Sequence, residues 1–233
     1  MNVLRCLKYI PGVKSLLLPI YGRYARHRRN LLFRRNGINV LHQFDEIMLS
    51  HKIHYTVYAG TLLGAVREGG LLKHDMDLDT MMFYDNYNES IKNVLAIHGF
   101  KLLHTFLADD GRVGREDTYI KDGVTIDVFY AYSDDKFPTY QCDFHGAPGT
   151  LNNDDSMKKK GYVCVRRLEF PVSKGIRRVK FENIEVNIPS NAEEWLKYRY
   201  GDDYMIPNPN FQDKGDNPHI HEWEDVKAVM INY

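Results

Sequence analysis

The chain has 233 residues, a mass of 27.2 kDa and equal numbers of basic and acidic residues, 31 of each. Hydrophobic residues make up 43% and charged residues 27%, which excludes a disordered chain and leaves room for one or two packed domains. Three scattered cysteines, Cys6, Cys142 and Cys164, exclude a disulfide framework and fit a reducing, cytoplasmic setting.

The balanced charge hides an asymmetry. The first 44 residues carry nine Lys or Arg and no acid, and the other 189 carry 22 bases against 31 acids. A basic arm on an acidic body points to an anionic neighbour. Leu16, Leu17, Leu18, Ile20 and Tyr21 lie among those charges, a mixture suited to an anionic membrane surface on the inner face. A solvated helical extension is the alternative. The apolar run over residues 15–20 is too short to span a bilayer, and no small-residue cleavage site follows it. The expected division is an arm over residues 1–38 and a catalytic body over residues 39–233.

Apolar residues at helical spacing predict a helix over residues 39–52, with Asn39 as its cap. A β-prone run over 55–59 leads through Gly60-Thr61 into a short apolar helix over 62–66, ending at Arg67. A loop over 68–74 precedes a strand over 77–83. A helix over 88–98 stops at Gly99, and a strand covers 101–106. Asp122-Gly123 is a favoured two-residue turn between strands at 118–121 and 124–132. Residues 142–160 read as a polar surface loop. A second hairpin joins 179–181 to 184–188, a helix capped by Ser190 or Asn191 runs to Tyr200, and Gly201 stops it. The tail over 207–218 is loop-like, and a short helix is expected over 222–230. This order is α+β, with a mixed or antiparallel sheet.

The chemistry concentrates in Asp75, Asp77 and Asp79. On a strand, Asp77 and Asp79 point to one face, because side chains alternate. Adjacent carboxylates repel unless a cation lies between them, and oxygen-only ligation selects Mg²⁺ or Mn²⁺. A solvated acidic turn is the plain alternative, but Leu78, Met81, Met82 and Phe83 make the stretch look buried. A calcium loop starting at Asp75 fails, since its sixth and twelfth places hold Thr80 and Asn86. A glycosyltransferase Asp-x-Asp site remains open.

Gly60 and Thr61 stand at a strand-to-helix turn, where backbone N–H groups can meet a phosphate, and Arg67 could add a guanidinium. The GxGxxG and P-loop spacings are absent. Asp127 lies between apolar neighbours and is the candidate third carboxylate; an ion pair with an Arg is its structural alternative. Cys142, His145 and Cys164 suggest a weak zinc spacing, and Lys174, Arg177, Arg178 and Lys180 form a basic cluster that suits either a diphosphate or a solvated hairpin face.

The segments Tyr58-Ala59-Gly60-Thr61-Leu62-Leu63-Gly64-Ala65-Val66-Arg67, His74-Asp75-Met76-Asp77-Leu78-Asp79 and Ile126-Asp127-Val128 together resemble the LicD family. The run from Pro189 to Gly201 is similar to that family's closing helix. His74 and Met76 depart from the family's usual Trp and acid, and the basic arm lies outside the resemblance. The resemblance implies a nucleotidyltransferase-like fold of the polymerase β type, a mixed sheet flanked by helices. It implies transfer of a phospho-alcohol, such as phosphocholine, from a CDP-activated donor to a sugar hydroxyl of a cell-surface glycan or glycolipid precursor. Asp77, Asp79 and Asp127 would then hold the metal and carry the chemistry. Gly60, Thr61 and Arg67 would hold donor phosphates. No nucleic-acid partner is expected.

Overall fold

The computed structural model describes residues 13–133, 139–208 and 217–233. Cys6, Arg5, Lys8 and most of the 207–218 tail lie outside the described residues, as do the side chains of Leu16, Leu17, Leu18, Ile20 and Tyr21.

One long helix, α1 (Val13–Ser50), opens the fold. It does not begin at Asn39, which lies exposed in its interior. The Asn36-Gly37 pair that reads as a breaker is accommodated by tertiary contact. Asn36 donates to the Asp122 carbonyl at 2.7 Å. A Cβ on Gly37 would stand 3.1 Å from the Leu71 side chain, so the missing side chain lets the next loop pack close. The helix runs unbroken through residues 38–39. Its inner face, Phe33, Val40, Leu41, Phe44 and Met48, is fully buried at helical spacing.

The remaining elements are β1 (Thr56–Val57), α2 (Ala59–Arg67), β2 (Asp77–Phe83), α3 (Ser90–Ile97), β3 (Lys101–Ala108), β4 (Gly114–Lys121), β5 (Val124–Ala131), β6 (Tyr140–His145), α4 (Asn153–Lys160), β7 (Val163–Glu169), β8 (Ile176–Phe181), β9 (Ile184–Pro189), α5 (Ala192–Tyr200) and β10 (Ile220–Asn232). Eight strands form one mixed sheet in the order β1-β2-β5-β4-β3-β10-β7-β6, and β8 and β9 form a separate hairpin. Only β2 and β5 pair in parallel. The sheet curls, and Tyr132 beyond β5 bridges to Tyr140 of β6.

Both hairpins form where their turns predict, with Asp122 and Gly123 at φ 50° and 79°. Two expectations fail. The polar stretch over 142–160 is not a loop: it supplies most of β6 and the whole of α4. Asn152 caps α4 by accepting from the Asp155 N–H at 2.9 Å, and Gly161 ends it in the left-handed region. Acids in its first turn and three lysines in its last favour the helix dipole. The expected helix over 222–230 is a strand. β10 inserts between β3 and β7, so partners far away in sequence decide its conformation.

The basic cluster belongs largely to the second hairpin's own packing. Arg178 grips Asp45 of α1 through two bonds of 2.6 and 2.8 Å, and Lys174 pairs with Glu194 at 2.6 Å. Cys142 and His145 alternate to opposite faces of β6, and among the described residues no three His, Cys, Asp or Glu side chains group to hold a metal ion.

Candidate active site

The site forms where β1, α2, β2 and β5 meet. In β2 the alternation buries Leu78 and Thr80 on one face and turns Asp77 and Asp79 to the other. In β5 the buried pair is Ile126 and Val128, which turns Thr125 and Asp127 to that same open face. The parallel register sets Asp79 directly beside Asp127, and Asp77 beside Thr125. Three carboxylates thus share one face of two adjacent strands.

The turn from β1 into α2 grips Asp79 from the side. Tyr58 N–H donates to the Asp79 carbonyl at 2.9 Å, Asp79 N–H donates to Thr61 Oγ1 at 2.9 Å, and Gly60 N–H donates to Asp79 Oδ2 at 3.0 Å. Position 60 favours glycine: a Cβ there would stand 2.8 Å from Asp75 Oδ2 and 3.2 Å from Asp79 Oδ2, and the carboxylates would have to shift. Ala59 sits at φ 41°, an uncommon conformation for a residue with a side chain, at the start of the helix beside the acids.

Asp127 accepts from Thr118 Oγ1 at 2.6 Å. Among the described residues it has no arginine partner of the kind a structural acid needs. Asp117, on the opposite face, does: Arg115 donates to both its oxygens at 3.0 Å, and Thr105 and Tyr130 donate at 2.6 and 3.0 Å. The contrast separates a satisfied core carboxylate from the crowded pair Asp79 and Asp127.

Their electrostatics follow. Burial, then the neighbouring Asp77, pushes Asp75 up to about 6. Burial pushes Asp127 up to about 6 despite the Thr118 bond, and Asp77 adds to the rise. Asp79 is held well above the usual carboxylate range by burial, then by Asp77 and Asp127. Arg29 of α1 donates to Asp77 Oδ2 at 2.8 Å and to Thr125 Oγ1 at 3.2 Å. The donors are hard oxygen, the type Mg²⁺ and Mn²⁺ take, but among the described residues these carboxylates are not grouped closely enough to hold an ion as they stand.

Two cavities flank the carboxylates. One of about 470 Å³ has Gly60, Arg67, His74, Asp75 and Tyr204 in its wall. Arg67 lies there with its Nη1 donating to the Tyr204 carbonyl at 3.2 Å. The second, of about 490 Å³, opens over Asp127, Thr118, Glu116, Phe106 and Phe144. Thr61 is buried and spends its oxygen on Asp79, and the Gly60 N–H is spent there too, so both position a carboxylate in this structure.

Sequence reasoning missed Arg29, Thr118 and Glu116. The signal for the last two was present in the hairpin. Counting back from Asp122-Gly123 pairs Lys121 with Val124 and Thr118 with Asp127, and alternation then adds Glu116 to the same face. No local pattern places Arg29, which reaches the site across 48 residues of chain.

The family described as LicD/FKTN/FKRP, nucleotidyltransferase domain, matches residues 52–191, a span holding all six residues assigned to the site from sequence. The chain is 25% identical over 210 residues to the ribitol-5-phosphate transferase FKTN of Mus musculus, covering 84% of this chain and 41% of that protein. To the human ribitol-5-phosphate transferase FKTN it is 26% identical over 208 residues, 83% of this chain and 40% of that one. A stretch of 54 residues, 23% of this chain, is 35% identical to the lipopolysaccharide cholinephosphotransferase LicD of Haemophilus influenzae and covers 20% of it. The chain thus spans less than half the length of these relatives. The match runs through the strand, turn and helix that grip Asp79 and on through β2 and β5, and the chain belongs to the LicD/FKTN/FKRP family.

Proposed function

We propose that this chain transfers a phospho-alcohol, of the ribitol-phosphate or choline-phosphate class, from a CDP-activated donor to a hydroxyl of a glycan or glycolipid. One observation carries the reading: Asp79 and Asp127 lie in register on parallel strands with Asp77 on the same face, crowded and without enough positive charge. Family membership supports the reaction class. It also supports a nucleotidyltransferase-like fold, with which the mixed sheet and its flanking helices agree.

Asp77, Asp79 and Asp127 would hold Mg²⁺ or Mn²⁺. The ion supplies charge stabilisation for the phosphoryl oxygens. The chain's own residues do the rest by positioning. Gly60 and Thr61 fix Asp79, and Gly60 and Asp75 line the cavity beside it. Arg67, in that cavity's wall, meets the donor phosphates. Asp127 takes the proton from the attacking hydroxyl as its oxygen bonds to phosphorus and the bond to CMP breaks.

Mass spectrometry of products formed from CDP-ribitol, CDP-choline or a UDP-sugar, with Mg²⁺ or Mn²⁺, tests the reading. A mass gain of a phospho-alcohol supports it. A bare hexose gain points to the glycosyltransferase alternative. No product from any donor points to a silent binding module.

The exposed part of α1 supports a peripheral membrane role. Arg23, Arg26 and Arg28 are exposed there beside Tyr24 and Leu31. No helix among the described residues is long and apolar enough to cross a membrane. Replacing Arg23, Arg26 and Arg28 together with Ala should weaken binding to phosphatidylserine vesicles; equal binding by the wild type and this variant rejects the role.

A further inference from the structure

The second cavity lies over Asp127 on the side of β4, away from Gly60 and Arg67. Its chemistry differs from that of the first. Phe106 and Phe144 stack on each other with ring centroids 5.0 Å apart and planes 7° apart; Phe106 is buried, and Phe144 is the half-buried ring of the pair, giving an apolar wall. His104 packs edge-on against Phe106 at 5.1 Å. The polar lining is acidic and amidic: Glu116, Asp127, Asp154 and Asn153. Its one arginine, Arg29, is already engaged with Asp77.

Glu116 is the residue without an explanation. It faces Phe106 across β3 and Phe129 across β5, two residues from Thr118 on the same face. Among the described residues no hydrogen bond or ion pair engages its carboxylate. A partly buried acid left so is costly unless a ligand satisfies it. Asn153 donates to the Phe144 carbonyl at 3.2 Å, which leaves its amide oxygen available.

An apolar wall, two carboxylates and an amide suit a neutral polyhydroxylated ligand. They repel a nucleoside diphosphate, whose charge matches theirs. We propose that this cavity is the binding site of the acceptor sugar, with Glu116 as the residue that recognises an acceptor hydroxyl. The assignment as acceptor rests on the transferase reading above. The geometry also meets the demand of in-line transfer. The two cavities approach the carboxylates from different sides, so an entering hydroxyl and a departing CMP need not share a space. In the second cavity the sugar packs against Phe144, Glu116 accepts from one of its hydroxyls, and Asp127 stands next to the hydroxyl that reacts.

Saturation-transfer NMR on the full chain with the methyl glycosides of galactose, glucose, N-acetylgalactosamine and N-acetylglucosamine tests the site. At least one should bind at about 10 mM, the weak range expected of a single sugar ring. Glu116→Ala should weaken that binding by about 10-fold, as loss of one hydrogen bond predicts, while a thermal melt and CMP binding stay unchanged. Asn153→Ala should weaken it as well. No binding of any glycoside, or equal binding by both variants and the wild type, overturns the proposal. CDP-choline and CDP-ribitol hydrolysis with Mn²⁺ is scored alongside. Glycoside binding without hydrolysis refutes the transferase reading and keeps a sugar site, whereas hydrolysis without glycoside binding refutes the sugar site alone.

Discussion

The Arg29 guanidinium stands 2.8 Å from the Asp77 carboxylate, so the basic helix delivers a cation to the edge of the acidic face. Both side chains are nearly half exposed, at 45% and 40%, and such a pair contributes only about 0–1 kcal/mol to stability. Its effect should fall on metal affinity instead, because Arg29 and a divalent ion compete for Asp77. Arg29→Ala should leave the melting temperature nearly unchanged and tighten Mn²⁺ binding several-fold in calorimetric titration. Unchanged or weaker binding would show that no such competition exists.

Asp77→Asn replaces a hard anionic ligand with a poor neutral one. The fold should survive, since the side chain is partly exposed and held mainly by Arg29. Transfer of phospho-alcohol should drop by about 1,000-fold or more, the scale of losing a metal's charge stabilisation. Excess chelator should abolish turnover in the wild type, and Mg²⁺ or Mn²⁺ should restore it. Full activity in chelator would remove the metal from the mechanism.

Asp127 and Asp117 should respond in opposite ways. Asp127→Asn relieves repulsion and keeps the Thr118 contact, so the metal-free protein should be equally stable or slightly more so. Its activity should fall at least ~100-fold, as for a lost general base. Asp117→Asn leaves buried Arg115 without its partner and should cost roughly 3–5 kcal/mol. Molecules of Asp117→Asn that remain folded should keep their turnover. Urea melts in chelator, run beside rates per folded molecule, separate the two; a destabilised but active Asp127→Asn would take Asp127 out of the site.

The crowded acids also set a pH dependence. Asp75 and Asp127 each titrate at about 6 in the folded chain, above the ordinary carboxylate value near ~4. Between those values the folded state binds more protons than the unfolded state. Their contribution to stability is therefore fully present below the unfolded pKa and is lost as pH rises through about 6. Glu89, Asp155 and Glu194 are shifted the other way by their hydrogen bonds and oppose the trend. The clean measure is a difference. In chelator, Asp75→Asn/Asp127→Asn should gain stability over the wild type on going from pH 5 to pH 7. A gap that stays constant would mean that neither group is shifted.

Much of the site was legible because alternation along a strand is a local rule. Asp77 and Asp79 share a face wherever β2 lies, and Ile126 and Val128 force Asp127 to the open side. The two hairpins were legible for the same kind of reason, since a two-residue turn fixes its own register. Arg29 was hidden because it depends on α1 running straight through Asn36-Gly37, which a loop from another part of the chain makes possible. α4 was hidden because it has almost no apolar face; its cap, dipole charges and left-handed glycine were the only cues. β10 was hidden because a short apolar run at 226–230 suits helix or strand equally, and the gap between β3 and β7 decides.

That gap has a consequence for how the chain comes together. β3 and β7 are separated by more than fifty residues, and neither pairs with the other. Without residues 220–232, β3 and β7 lack a partner on their facing sides, although Tyr132 and Tyr140 still link the end of β5 to β6. Each exposes a bare strand edge that could pair with another molecule. Long-range closure of this kind is slow. β10 is therefore a clasp: its arrival covers both edges at once and closes the sheet between β3 and β7.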